Sequence, residues 1–296
     1  MRLFSCLLIL IVALSCKEPK PSDSNLFSLG VSLGTVDERL LEASGIVESI
    51  SYPKHLWTLN DSGNLAEVFL IDEKAQTKLV CKLKDIENRD FEDIAVGVGP
   101  DSTKNYIYVG DIGDNLARYH VKYIYRFEEP VLRSEKEIEI SMFDTLQIQL
   151  PDGTRDSETM MIDPVSNDLY LVSKMEDSVH VYRIQYPFKK EIMKAEKICA
   201  IPFYKITSGS ISADGKEVLL KDYDNIYYWN NEGKISLEKL LQGKPKILPY
   251  TREKQGEAIT WARDGSGYYT LSEKADGKLG GLLFYKRNYD CLDIKS

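Results

Sequence analysis

Three glutamates recur at one place in a repeated phrase, and they are the residues of this chain best suited to chemistry. Glu92 stands in FEDI, Glu158 in SETM and Glu257 in GEAI, while ASGI and SGSI carry Ser44 and Gly209 at the same position. An apolar segment follows each phrase and ends on a charged or amide group; these ends add Asn60, Asp61 and Asp111. Segments converging on one axis would gather carboxylate and carboxamide oxygens there, a hard donor set that suits Ca2+, which takes about 6 to 8 oxygens in flexible geometry. Glu92, Glu158, Glu257 and Asn60 are therefore the expected metal ligands, with Ca2+ the expected ion. Asp61 and Asp111 are the candidate catalytic carboxylates, placed to activate water. The same acids would serve equally to hold the segments in register by pairing with Lys174, Lys221, Lys274 and backbone amides, because buried acids of either kind look alike in sequence.

Other reactive residue types form no motif. His55, His120 and His180 are the only histidines, no G-x-S-x-G or G-x-x-x-x-G-K occurs, and serine-hydrolase and nucleoside-triphosphate chemistry are disfavoured. His55 precedes the LWTLND segment and is either a base at the mouth of the fold or a surface-loop histidine. GDIGDN at residues 110–115 repeats Asp and Gly as calcium loops do, without the spacing and closing Glu of an EF-hand. A turn whose Asp side chains bond their own backbone accounts for it as well. Trp57, Trp229 and Trp261 are expected to pack between layers, with Trp261 beside Glu257 also open to a ligand role.

The elements that must position these residues are strands. LWTLND, IYVGD, LYLVSK, VLLKD and YYTLSE form a second column behind the acidic phrases, and a third column puts an aromatic after an aliphatic at Phe69, Tyr125, Tyr182, Tyr227 and Phe284. Its intervals of 56, 57, 45 and 57 residues fit one four-stranded sheet plus loops per unit. Asp152-Gly153, Asp214-Gly215 and Asp264-Gly265 supply tight turns between strands. KLVCKL, IEISMF with LQIQL, AEKICAI and KISLEKLL read as fourth strands, one fewer than the other columns hold. The missing strand is expected near the start, in LFSLGVSLGTV at residues 26–36, closing the last unit so that no sheet edge is left at the seam. The fold expected is an all-β propeller of five four-stranded blades, the extra apolar pairs at residues 138–150 leaving a six-bladed count open.

Taken together, ASGI, LWTLNDSG, FEDIAVG, YVGDIGDN, YRFEEP and GEAITWARDGSGYYTLSE resemble a bacterial family of secreted or lipid-anchored β-propeller proteins of unassigned activity. The resemblance covers most of the chain after its leader. More distantly, the acid opening the inner strand is similar to that of calcium-dependent propeller hydrolases of lactonase-like and phytase-like type, which implies a central metal on inner-strand acids. Ser44 and Gly209 break that column at two of its five places, so the implied metal site is incomplete.

The address is written at the N-terminus. Residues 1–15 join a basic start to an apolar core of signal-peptide length, too short to span a membrane permanently, and Cys16 follows directly in ALSC. This resembles the bacterial lipoprotein signal, implying acylation of Cys16, with palmitate among the acyl chains, and anchorage at the outer membrane of the cell envelope. Residues 16–25 would then be lipidated cysteine and flexible tether, and residues 26–296 a single propeller domain. A formal charge of −8 with no long basic run argues against a nucleic-acid partner. Cys81, Cys199 and Cys291 are an odd number without C-x-x-C spacing, so no cysteine metal site is expected. The expected partners are the membrane, through the lipid, and an unidentified envelope partner or small ligand. The expected function is a binding module of the envelope; the alternative is a calcium-dependent phosphoesterase or lactonase with its site at the channel mouth.

Overall fold

The computed structural model describes residues 26–289, so the leader, Cys16, the tether and Cys291 lie outside the described residues. Five sheets stand in a ring, each meandering from an inner strand outward. The inner strands are Ala43–Glu48, Phe91–Val98, Ser157–Ile162, Ser208–Ile211 and Gly256–Trp261, and each lies against the inner strands of its two neighbours, the fifth against the first. The ring is a five-bladed β-propeller. Val31–Thr35 pairs antiparallel with Gly281–Lys286 and supplies the last blade with its outer strand, as expected of the N-terminal segment.

Alternation along the strands explains why the blades stack. Successive side chains of a strand point to opposite faces, and here each face meets a different neighbour. In Leu169–Ser173, Leu169 and Leu171 enter the core shared with blade 2, while Tyr170 and Val172 enter the core shared with blade 4. Five apolar clusters, one per junction, fill the ring. Phe69, Tyr125, Tyr182 and Tyr227 all face the preceding blade, whereas Phe284 faces the following one. Gly153, Gly215 and Gly265 adopt φ of +105°, +73° and +74°, the left-handed backbone that Asp-Gly turns need.

Two fourth-strand assignments change. KISLEKLL does not form a strand: Ser236 caps the helix Leu237–Gln242, and Leu240 and Leu241 pack into the junction of blades 3 and 4. Strong helix formers behind a capping serine outweigh the apolar alternation, and the outer strand is Lys246–Leu248 instead. Within the long second interval, Asp144–Gln149 is the outer strand of blade 2, while Glu137–Ile140 crosses to blade 1 and adds in parallel to Thr77–Leu83. That crossing absorbs the extra apolar pairs without a sixth blade.

Candidate functional site: an acidic centre at one mouth of the ring

A β-bulge positions each glutamate. Phe91 pairs with Asp111 and Asp93 with Gly110, which leaves Glu92 as the extra residue; Glu158 lies in the same way between Ser157 and Thr159, and Glu257 between Gly256 and Ala258. A bulge bends the strand and re-aims the unpaired side chain. Blade 1 is bulged at Ser44 and Gly45, but blade 4 runs in regular register, with Gly209 opposite Leu220. The column that carries carboxylates is thus the column of bulges.

Glu92 is the hub. One carboxylate oxygen each from Asp61, Asp90 and Glu92 lies within 4.8 Å of the other two, and a second such triad joins Glu92 to Asp156 and Glu158. Ligands on opposite sides of Ca2+ at about 2.4 Å are about 4.8 Å apart, so each triad has the span of a calcium shell. Burial is deep, with Glu92 and Glu158 each 2% exposed and Asp156 6%. The Asp156 Oδ1 accepts from the Asp114 amide at 2.8 Å, but its Oδ2 is buried without a hydrogen-bond partner, as is the Glu257 Oε2. An unpaired buried carboxylate oxygen is costly, and of these two only Asp156 Oδ2 belongs to a triad, where a cationic ligand would satisfy it.

Electrostatics agree with geometry. Burial first, then Glu158 and Asp61, push the Glu92 carboxyl well above its usual range. Burial also lifts Glu158 to about 8, against the opposing pull of Lys174. Asp61, half-buried, is raised to about 6 by burial and by Asp90. Ser44 donates to the Glu92 carbonyl at 2.6 Å and to its carboxylate at 3.2 Å, so the serine of blade 1 supports the glutamate of blade 2. Lys174 lies 2.7 Å from Glu158, the one contact between a lysine and the two triads among the described residues.

The expected site residues part company here. Glu92, Glu158 and Asp61 come together. Glu257 faces Lys174 and Tyr223 rather than the triads. Asn60 turns its carboxamide to the chain before the inner strand, accepting from the Glu42 amide at 3.1 Å and donating to the Arg39 carbonyl at 2.7 Å. Asp111 is held by Arg89 at 3.1 Å and by the Asp90 amide at 3.2 Å. Lys221 is fully buried and donates to the carbonyls of Asp222 and Gly256 rather than to an acid. In GDIGDN, the Asp114 carboxylate accepts from the amides of Arg118 and Tyr119 at 2.6 and 2.8 Å, which is turn bonding. His55 opens the strand that Asn60 ends, about 17 Å away at about 3.3 Å per residue. Trp57 and Trp229 pack at blade junctions, and Trp261 packs against Phe27, Tyr228 and Tyr268, away from Glu257. Cys81 and Cys199 are buried free thiols, lifted by burial to about 12 and about 11.

Asp90 and Asp156 escaped the sequence reading. Both stand two residues before a column glutamate, in DFE and DSE. That doubled acid was a visible signal, since residues two apart in an extended chain share a side. Below the triads the inner strands close on a cavity of about 60 Å³ with Ile94, Met160 and Ile211 on its walls, so the axis is packed rather than open.

The fold and this site define a five-bladed β-propeller with an acidic centre at one mouth. No family model matches the chain, and neither does any curated protein. Solved structures do resemble it, 694 chains in all. One of them, U3-55K, superposes with a TM-score of 0.40 at 8% identity, over 82% of this chain and 67% of that one.

Proposed function

We propose that the chain is an exported, lipid-tethered β-propeller that serves as a binding module of the cell envelope and holds a divalent cation at its acidic mouth. One observation carries the cation: two carboxylate triads share Glu92, and Asp156 Oδ2 is buried among them without a partner. Ca2+ suits the all-oxygen donor set and its flexible carboxylates. Export and tethering are supported by the leader at residues 1–15 and by Cys16 behind it. Calorimetry with CaCl2 on the full chain tests the cation site. Micromolar heat that Glu92→Gln abolishes is the expected result; no heat, with melting unchanged by chelator, sinks it. Acyl labelling that Cys16→Ser removes is the matching test of the tether.

A second reading, a calcium-dependent phosphoesterase or lactonase, is favoured by Asp61. It belongs to a triad, is only half-buried, and sits near pKa 6, so it is a base at neutral pH. Asp111, tied to Arg89, is not free for that role. Turnover of phosphoesters or lactones that Asp61→Asn abolishes, with calcium heat retained through the triad of Glu92, Asp156 and Glu158, would establish this reading. Absence of turnover with calcium bound leaves the binding module.

A further inference from the structure

The outer edge of blade 2 is half covered. Met193–Lys194 adds in parallel only at Ile148 and Gln149; residues 144–147 are paired on one side, with residues 123–126, and open on the other. Unpaired strand edges offer rows of N–H and C=O groups that template a further strand. This edge faces a hollow of about 680 Å³, formed with the segment at residues 186–190. Sites for bound ligands are commonly about 300–1,000 Å³. Phe143, Tyr186 and Phe188 make the apolar walls, and Arg126, Lys189 and Lys190 bring positive charge. The acid on the wall, Asp144, is taken by Arg126 at 2.7 Å, while Lys189 and Lys190 are exposed and lack ion-pair partners among the described residues.

Blade 1 shows what fills such an edge. There Glu137–Ile140, sequence EIEI, adds in parallel along Thr77–Leu83. Its Ile138 and Ile140 pack on the core, Glu137 pairs with Arg39 and Lys82 at 2.6 Å each, and Glu139 pairs with Lys84 at 3.0 Å. An acidic, alternating strand thus satisfies both the backbone and the basic rim.

We infer that the open edge of blade 2 takes an acidic, extended segment of a partner protein as an added strand, its apolar side chains entering the hollow and its carboxylates meeting Lys189 and Lys190. This deepens the binding-module reading and rests on it, but not on the cation at the mouth. Main-chain hydrogen bonds supply affinity in strand addition and side-chain pockets supply selectivity. An anionic lipid surface would use the lysines and aromatic rings but has no use for an open row of backbone groups.

The test is fluorescence anisotropy of the full chain with a set of labelled hexapeptides that alternate glutamate with isoleucine or valine, and with lysine-substituted controls. The expected result is binding by the acidic peptides alone, weakened by about ten-fold or more in the exposed double variant Lys189→Glu, Lys190→Glu. Amides of residues 144–147 should exchange about ten-fold more slowly with peptide bound. No binding by any acidic peptide overturns the proposal, as does binding that leaves those amides unprotected. Pelleting with phosphatidylglycerol vesicles, lost in the double variant while the peptides do not bind, assigns the hollow to a membrane and overturns it too. Calcium calorimetry is indifferent to every one of these outcomes, so the two sites succeed or fail separately.

Discussion

The Lys174 ammonium lies 2.7 Å from Glu158 and also faces Glu257, so it serves copies of one sequence position in blades 3 and 5. Blade 4, between them, carries Gly209 there and contributes no acid. One lysine thereby faces the acids of blades 3 and 5 across the blade that contributes none.

Replacing that lysine separates structural from ligand roles. Lys174→Met removes the partner of a buried carboxylate, which in chelator above pH 8, where Glu158 is ionised, should destabilise the fold by about 3–5 kcal/mol. Excess calcium should recover most of that loss, because a cation beside Glu158 replaces the missing charge. Urea unfolding with and without calcium is the measurement. A loss that calcium does not restore would mean that Glu158 is purely a structural anion.

The pH dependence has a definite sign. Asp61 and Glu158 rise to about 6 and about 8 in the fold from ordinary values of 3.8 and 4.5, and burial raises Glu253 and Glu273 each to about 7. Across these intervals the folded chain binds more protons than the unfolded chain. Stability without metal is therefore greatest below pH 4 as far as these groups are concerned and falls as pH climbs towards 8. Asp152, held near 2 despite its burial by Tyr182, Arg155 and Lys197, works the other way, contributing stability above its ordinary 3.8 that is lost as pH falls towards 2. A melting series in chelator should decline from about pH 4 to 8. Calcium must displace the protons of Asp61 and Glu158, so its affinity should increase over that range, with proton release visible as buffer-dependent heat.

Gly113 backs the triads. A Cβ there would lie 2.6 Å from Asp90 Oδ2 and press on Glu92 Oε1. Gly113→Ala should weaken calcium binding about ten-fold, equivalent to about 1.4 kcal/mol, with a smaller effect on melting. Equal calorimetric affinity in the variant would place the cation away from Glu92.

Phe27 locks the seam of the ring. It is 1% exposed, contacts Tyr228, Trp261 and Tyr268, and lies under the Arg287 guanidinium at 4.7 Å. Phe27→Ala should cost about 3–5 kcal/mol in urea unfolding, as large-to-small changes of buried aromatics do. A cost under about 1 kcal/mol would mean that backbone pairing of the closing strand carries the seam without it.

The blade count and the seam were legible because strand periodicity repeats at the scale of a blade. Four aromatics of the third column keep step, and Phe284 falls one residue out because Leu283 and Tyr285 face blade 4 in its stead. The site was legible only as a set of residue types. Glu92, Glu158 and Asp61 converge, but a sequence does not display hydrogen-bond register, and register decides that Glu92 is unpaired while Asn60 and Asp111 are consumed by Arg39, Glu42 and Arg89. Asp90 and Asp156 were in view as the first letters of DFE and DSE. Their meaning depends on the meeting of blades 1, 2 and 3 at Glu92, which no residue type announces. The helix after Ser236 was missed because alternating apolar residues outranked a capping signal that was equally present.

The regular register of blade 4 also constrains how this mouth could be rewritten. Substituting a glutamate for Gly209 would not enlarge the carboxylate set: that position is paired with Leu220, and a Cβ there would lie 2.6 Å from Leu220 Cδ2 and 3.0 Å from Met161 Sδ. The edit that matches the other acidic blades is a one-residue insertion before Gly209, creating the bulge first and the ligand with it. Charge at this mouth is thus set by chain length as well as by side-chain identity, so relatives that gain or lose a single inner-strand residue would change ligand number by one.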